Sequence, residues 1–339
     1  MRGGSLLVLP VLGLMLFLAA PGFGAAVPSS KIALLPFENL TDDRDAEGMV
    51  MPAVKERLNR EGVELVDEDS LNRVLFRERV RATAYISRDM ARKLGEELGA
   101  RAVLLGCIVR FEPGENPSIG LASRLIDTST GKIIWADYAS ASGVEFAGIL
   151  GLWEIKTMEK LIPRAADRLL DSFSLEPPER KEPPYRIAVM PLKNNSGTRE
   201  AGTATTFMFV SELFKSRRFE AVEYGDVRRA ILRLRTVRKG ELDLKTLGEL
   251  SRTLEVDGVL VGTVERYAGT EYGTASGVEM IVRLLDAKEQ RILWYDSLQQ
   301  SGEKSIIVFS WETVRPVDET ALRAVAELIE RMEKIAWRP

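Results

Sequence analysis

The sequence contains the same series of motifs twice. The recurring segments are residues 31–39 with 186–194, residues 98–112 with 254–268, and residues 124–143 with 283–302. The offset between copies grows only from 155 to 159 residues, so the intervening segments also match in length. Each copy is long enough to bury a core of its own. The chain is therefore predicted to be a duplicated domain and not a solenoid of short repeats.

The amino-terminal residues have the composition of a secretory signal. Arg2 precedes an apolar run at residues 6–20, and residues 24–26 are small, as a signal peptidase requires. The sequence therefore predicts a signal peptide at residues 1–26 and a periplasmic mature protein. An uncleaved amino-terminal anchor is the alternative.

The composition argues against most catalytic chemistry. The chain has no histidine, the usual general base near neutral pH and the commonest metal ligand. Cys107, the only cysteine, lies in an apolar run and is expected to be a buried small side chain. The net charge of −3 gives no basic excess that would point to nucleic acid. We expect no cofactor, no metal and no enzymatic activity.

Each copy has the hydrophobic pattern of one α/β domain. The strands predicted in the first copy are residues 31–36, 63–66, 102–111, 118–126 and 132–140. Four helices are predicted there. The first ends at Gly62, the second spans residues 70–79, the third runs from an N-cap at Ser87 to Gly99, and the fourth spans residues 154–173. The second copy repeats this order. The predicted fold is two tandem α/β domains, each a mixed sheet flanked by helices and ending in antiparallel strands and a closing helix.

A proline-rich segment separates the copies. Residues 176–184 contain two Pro-Pro pairs, which favour an extended and semi-rigid linker. The predicted domains are residues 27–175 and residues 185–339.

Several motifs together resemble a known family. The residues are 31–39 (KIALLPFEN), 66–81 (VDEDSLNRVLFRERVR), 98–112 (LGARAVLLGCIVRFE) and 127–135 (DTSTGKIIW). Their order resembles the periplasmic core of the CsgG family and the amino-terminal domain of TolB-like envelope proteins. The resemblance implies a non-enzymatic module for envelope assembly or secretion, with protein partners in the cell envelope. It leaves open a homo-oligomer and a peripheral contact with the outer membrane.

Two other functions are compatible with the resemblance. One is a component of a CsgG-like secretion channel in the outer membrane, for which residues 143–156 (GVEFAGILGLWEIK) would have to contact lipid. That stretch is too short for a complete membrane hairpin, which needs two strands of about 9–11 residues and a turn. The other alternative is a regulator of cell-wall synthesis.

Polar loops follow the first strand of each copy. In an open α/β sheet, ligands bind at the carboxyl ends of strands, where these loops are expected. The candidate interaction residues are Glu38, Asn39, Thr41, Asp42, Asn194, Asn195 and Ser196. Because these residue types are also typical of turns, closing a turn is the alternative role.

A second candidate surface is basic. Three arginines of the first copy match three of the second at an offset of 156. The candidate residues are Arg73, Arg77, Arg79, Arg229, Arg233, Arg235 and Arg238. Such a surface could hold phospholipid headgroups, an acidic partner or the acidic face of a neighbouring copy. A solvated helix face is the alternative.

Two matched aspartates, Asp127 and Asp286, are candidates for paired carboxylates. Both open predicted hairpin turns, where carboxylates commonly accept backbone hydrogen bonds. We therefore expect them to be structural.

Overall fold

A computed structural model gives the fold of the chain. It describes residues 31–146, 154–179, 184–234, 244–269, 276–302 and 316–336. The predicted signal peptide and the central part of the predicted linker lie outside the described residues, as do Arg235 and Arg238 and half of the apolar stretch at 143–156.

The first copy forms a mixed sheet. Its strands are β1 Ile32–Leu34, β2 Glu38–Asn39, β3 Ala102–Glu112, β4 Ser118–Asp127 and β5 Ile133–Ser142. Strand β3 pairs in parallel with β1 and β2 and antiparallel with β4, and β4 pairs antiparallel with β5. The order β1-β3-β4-β5 confirms the predicted antiparallel series at the end of the domain.

Helices flank both faces of this sheet. They are α1 Ala46–Arg60, α2 Glu68–Arg77, α3 Arg88–Leu98 and α4 Met158–Leu169. Helix α1 packs with α4 on one face, whereas α2 and α3 cover part of the other face. The predicted ends of α3 are confirmed, since Ser87 accepts a hydrogen bond from the Met90 amide and Gly99 adopts a left-handed conformation with φ of 63°.

The second copy repeats this architecture. Its strands are β6 Tyr185–Val189, β7 Lys193–Asn194, β8 Phe219–Ala221, β9 Gly258–Ala268, β10 Gly277–Asp286 and β11 Ile292–Ser301. Its helices are α5 Ala201–Lys215, α6 Tyr224–Leu234, α7 Leu244–Leu254 and α8 Val317–Glu333. The sheet order is β11-β10-β9-β6-β8, with β7 beside β9. The fold is thus two α/β units, each a mixed sheet with flanking helices.

Two predicted elements of the first copy differ from the structure. The strand predicted at residues 63–66 is reduced to a single parallel bridge between Ile32 and Leu65. The closing helix begins at Met158 and not at residue 154. The Ile155 amide donates to the Gly143 carbonyl at 3.2 Å, and this pairing keeps the chain before α4 out of the helix.

The two units share one apolar core across their boundary. Cys107, Ala122 and Tyr138 of the first sheet belong to the same buried cluster as the core of the second unit. Other buried side chains of the first unit form separate clusters beneath α1 with α4 and beneath α2 with α3. The second unit therefore completes the burial of the first sheet.

Candidate functional site

The region between the two units contains the most deeply buried charges of the described chain. Helix α5 runs beside β4 and β5 of the first sheet, and the start of α6 contacts the 3₁₀ turn Thr83–Tyr85. The start of α8 reaches the same sheet through Asp318. We call the part of the first sheet under these helices the covered face, consisting of Cys107, Ala122, Arg124, Ala136 and Tyr138.

An ion pair lies at the centre of the covered face. The Arg124 guanidinium donates to both carboxylate oxygens of Glu223, at 2.6 and 3.0 Å, and each side chain is only 1% exposed. Arg124 also donates to the Ala84 carbonyl at 2.7 Å. Burial alone would lower the pKa of Arg124, but the Glu223 carboxylate outweighs it and holds that pKa above its ordinary value. The pair links two residues 99 positions apart and fixes how the units meet.

Aromatic side chains surround this ion pair. The Phe207 ring of α5 lies 5.0 Å from the Arg124 guanidinium carbon. Tyr85 stacks on Phe207 with ring centroids 6.2 Å apart and contacts Tyr224 at 5.8 Å. The Arg228 guanidinium carbon lies 4.1 Å from the centroid of the Tyr85 ring. Both units supply rings, so the contact excludes water from the Arg124 pair.

A second charge cluster joins β3 to α8. Arg110 donates to the two carboxylate oxygens of Asp318 at 2.9 and 3.0 Å, and the Tyr267 hydroxyl donates to the same carboxylate. The Asp318 carboxylate raises the pKa of Arg110, and burial raises the pKa of Tyr267. The bidentate geometry fixes the orientation of α8 against the first unit.

More exposed ion pairs line the rim of the same interface. Each joins a side chain of the first unit to one of the second. They are Lys132 with Glu220 at 3.1 Å, Asp137 with Lys215 at 2.8 Å, and Asp89 with Arg229 at 2.8 Å. Pairs of this kind stabilise a fold by about 0–1 kcal/mol each, so their main effect is on the register of the two units.

The counterpart of the covered face in the second unit is largely open to solvent: Arg283, Tyr295 and Ser297 are exposed, and Thr263 and Ile281 are half-buried. Its residues, which we call the open face, follow from the matched strand registers and are Thr263, Ile281, Arg283, Tyr295 and Ser297. Arg283 corresponds to Arg124, yet it lies at the surface with its guanidinium carbon 5.7 Å from the Tyr295 ring centroid. Tyr295 is 55% exposed, whereas its counterpart Ala136 is 1% exposed. The strands β3, β4 and β5 thus differ from β9, β10 and β11 in what covers them and not in how they pair.

The polar loop of the first unit is held by internal hydrogen bonds. The Asn39 side chain accepts from the Thr41 amide at 3.0 Å and donates to the Asp43 carbonyl at 2.5 Å. Glu38 accepts from the Thr83 amide at 2.9 Å. The Asn39 bonds are those of a closed turn, the alternative role that the sequence offered, whereas the Glu38 bond ties the loop to the 3₁₀ turn Thr83–Tyr85.

The polar loop of the second unit is closed in the same way. Asn194 accepts from the Ser196 amide at 3.1 Å and donates to the Thr198 carbonyl at 2.8 Å, and Asn195 donates to Glu265 at 3.2 Å. The structure also brings the two loops together, because Arg199 pairs with Asp42. Partner binding by these loop residues stays a prediction.

The candidate basic residues that the structure describes lie on or next to two separate helices. Arg73 and Arg77 are on α2 and Arg79 lies just beyond it, with a left-handed φ of 56°. Arg77 pairs with Glu78 and Glu97. Arg229 and Arg233 are on α6, where they line a cleft with Arg88 and Asp226. A role of these residues in binding an acidic partner stays a prediction.

The side chains considered for catalysis have structural roles. Asp127 accepts from the Thr130 amide at 2.7 Å, and Asp286 accepts from the Glu289 amide at 2.8 Å, so both aspartates cap turns as expected. Cys107 is fully buried, and burial raises the pKa of its thiol to about 12. At that pKa the thiolate nucleophile is scarcely populated near neutral pH.

Metal sites and membrane-spanning helices are not found in the described ranges. Within them, no cluster of three or more carboxylate or cysteine side chains has the arrangement of a metal site. No described helix combines the length and the apolar character needed to cross a membrane.

Sequence reasoning missed the central ion pair. Arg124 and Arg283 open the same motif, so the sequence gives no reason to bury one and expose the other. A usable signal was present in α5, whose residues 207–210 (FMFV) are apolar around the whole helix. A helix that is apolar on every side is buried on every side, which predicts a second contact surface.

No family profile matches the chain. No curated protein matches it either.

Solved structures of bacterial envelope proteins match parts of the chain. A PelC dodecamer from Paraburkholderia phytofirmans is 15% identical, covers 43% of this chain and 86% of its own, and has a TM-score of 0.31. Lipoprotein GNA1162 from Neisseria meningitidis is 17% identical, with coverages of 45% and 100% and a TM-score of 0.31. TolB from Acinetobacter baumannii is 14% identical, with coverages of 45% and 29% and a TM-score of 0.26. Likeness at this level carries no argument about function, and the resemblance to CsgG stays a prediction.

Proposed function

We propose that the chain is an exported, non-enzymatic protein of the bacterial envelope that binds other proteins through the open face of its second unit. The observation that carries the proposal is the contrast between matched positions. Arg124 and Ala136 are buried under a neighbouring unit, whereas Arg283 and Tyr295 present charge and an aromatic ring to solvent. Aromatic and arginine side chains are the residues most enriched at the centres of protein interfaces.

Other features of the chain support the proposed location and class. The signal-like residues 1–26 support export, and the motif order that resembles the CsgG core and TolB supports an envelope role. The chain contains no histidine, and its one thiol is buried, so two common sources of catalytic groups are missing. Secretion and envelope assembly are the processes in which we propose that it acts.

Fractionation combined with site-specific crosslinking tests this proposal. A photoreactive amino acid replaces Tyr295 in the tagged full-length chain, and a matched control carries it at Arg252, an exposed residue of α7. We expect the protein in the envelope fraction, with protein adducts at position 295 that are weak or absent at position 252. Retention in the cytoplasm would contradict the proposed location, and equal labelling at both positions would contradict the proposed surface.

A further inference from the structure

The helices that cover the first sheet have matched counterparts at the surface of the first unit. Helix α5 and the starts of α6 and α8 cover the first sheet. In the first unit they correspond to α1, α2 and α4. The outward residues of α1 include Glu47, Pro52 and Glu56, which are exposed. The chain therefore carries an open face at one end and, at the other end, the counterpart of what covers such a face.

The central ion pair can be repeated between these two surfaces. At the offset of 156 that relates α2 to α6, Glu223 corresponds to Asp67. Asp67 is exposed and caps α2 by accepting from the Ser70 amide at 2.9 Å. If a second copy supplied its first unit to the open face, its Asp67 would meet Arg283 as Glu223 meets Arg124. Asp67 and Arg283 thus carry the same opposite charges as Glu223 and Arg124.

The Arg110–Asp318 pair can be repeated as well. Arg110 corresponds to Arg266 of β9, and Asp318 corresponds to Glu159 in the first turn of α4. The burial patterns of α4 and α8 set the second match, because Met158 and Val317 are both the first buried residue of their helices. Arg266 and Glu159 are both exposed. Again the signs of the charges are kept.

Two rim pairs also keep their signs. Lys132 and Glu220 correspond to Arg291 and Glu64, and Asp137 and Lys215 correspond to Asp296 and Arg60. The match of Glu64 with Glu220 has structural support, since Lys31 pairs with Glu64 at 3.0 Å as Arg186 pairs with Glu220 at 3.6 Å. These four side chains have ion-pair partners within their own unit, so a second copy would exchange or share them.

Two positions indicate that the repeated contact is weaker than the one within the chain. Phe207, which lies over Arg124, corresponds to Pro52. Arg229 and Asp89 correspond to Arg73 and Lys245, which have the same charge. A contact that keeps four ion pairs but loses an aromatic anchor is typical of a reversible association.

We propose that the open face binds the first unit of a second copy of this chain, so that copies associate head to tail. Helix α1 and the start of α2 of one copy lie on β9, β10 and β11 of the next, with Asp67 against Arg283. Such a contact is heterologous, so it closes a ring if the rotation between copies allows it and otherwise builds a filament. This inference deepens the proposed function and rests on it only in requiring that the open face bind protein.

A charge swap tests the contact directly. The purified mature chain is studied by sedimentation at increasing concentration, together with Arg283→Glu, Asp67→Arg and the double variant. We expect the wild type to associate beyond a monomer and each single variant to raise the dissociation constant by about 30-fold or more. We expect the double variant to regain association, because it restores opposite charges across the contact. Both residues are exposed, so the variants should fold.

Disulfide trapping gives a second readout. In a chain with Cys107→Ala, the pair Arg283→Cys and Asp67→Cys should crosslink different molecules and produce a ladder of products on a denaturing gel. Arg252→Cys with Asp67→Cys is the matched control and should give no ladder. A wild type that stays monomeric at about 1 mM, where even a weak contact of about −4 kcal/mol would be substantially formed, would overturn the proposal. So would association that survives Arg283→Glu.

The two proposals fail in different ways. Adducts of Tyr295 that contain only other envelope proteins, from a chain that is monomeric in solution, would keep the proposed function and overturn the head-to-tail contact. A chain that assembles head to tail but stays in the cytoplasm would keep the head-to-tail contact and overturn the proposed location.

Discussion

The two units of this chain carry nearly the same sheet in different surroundings. Arg124 of β4 and Arg283 of β10 occupy the same position in the strand register. Arg124 lies opposite Ala136 and Arg283 lies opposite Tyr295, and each of these partners directly follows a tryptophan. The first is 1% exposed and paired with Glu223, and the second lies at the surface beside Tyr295. Burial of this arginine is therefore a property of the neighbouring unit and not of the strand.

The helices show the same contrast. Helix α1 buries Val50, Val54 and Leu58 along one stripe, as an ordinary surface helix does. Helix α5 buries the matching stripe and, in addition, Phe207 and Val210, of which Phe207 lies over Arg124 of the first unit. Helix α5 of the second unit thus covers part of the first unit, whereas helix α1 of the first unit keeps a polar outer side.

The largest expected effect separates the two matched arginines. Arg124→Met should lower the free energy of unfolding by about 3–5 kcal/mol, because it leaves the Glu223 carboxylate buried without its partner. Arg283→Met should change it by about 0.5 kcal/mol or less, as is usual for an exposed side chain. Urea unfolding of both variants at low micromolar concentration measures the difference. Equal losses would mean that the two faces are not as different as their burial indicates.

The strands and helices within each unit could be predicted from the sequence because their signals are local. Ser87 and Gly99 mark the ends of α3, and Asp127 marks the turn between β4 and β5. The strand predicted at residues 63–66 is wrong, because a short apolar run indicates an extended chain but not how long its pairing continues.

The interface between the units could not be predicted in the same way. Arg124 and Glu223 are 99 positions apart, and neither belongs to a motif that names the other. Asn39 and Asn194 are predicted to bind because polar residues follow strands; both also close turns, and the sequence alone does not separate the two roles. Composition gives the chemistry of a side chain, and only tertiary contacts give its partner.

A glycine at the interface provides the next test. A Cβ on Gly225 would lie 1.9 Å from the Ile86 carbonyl oxygen, so Gly225→Ala must push α6 away from the first unit. We expect a loss of about 1–3 kcal/mol in the free energy of unfolding, measured by urea titration. Gly48→Ala in α1 is the control, because no atom lies within 4 Å of its added Cβ. The control should gain about 0.5–1 kcal/mol from helix propensity.

Asp226 at the start of α6 should make the stability of the fold depend on pH, whereas its uncharged counterpart in α2 should not. Burial raises the pKa of Asp226 to about 6, with Glu223 adding to the rise and Arg229 and Arg88 opposing it. An aspartate in the unfolded chain has a pKa of about 3.9, so the folded state holds this proton more tightly. The free energy of unfolding should therefore fall as the pH rises from about 4 to about 6. The matched residue of the first unit is Ser70, which has no such charge.

Asp226→Asn isolates this contribution. The variant should lose part of the fall in stability between about pH 4 and pH 6, as measured by urea unfolding at half-unit steps. The exposed Asp171→Asn should follow the wild-type profile. A profile for Asp226→Asn that coincides with the wild type would mean that Asp226 is hydrated in solution.

The smallest expected effect concerns two buried tyrosines on opposite sides of the interface. The Tyr138 hydroxyl is buried and has no hydrogen-bond partner among the described residues, whereas the Tyr267 hydroxyl donates to Asp318. Removing an unpaired hydroxyl removes no hydrogen bond, so Tyr138→Phe should change the free energy of unfolding by less than about 0.5 kcal/mol or raise it. Tyr267→Phe should lower it by about 1–2 kcal/mol, because it deprives a buried carboxylate of a donor. If thermal unfolding instead showed Tyr138→Phe to be the more damaging change, the hydroxyl would have to bind a water molecule that links the two units.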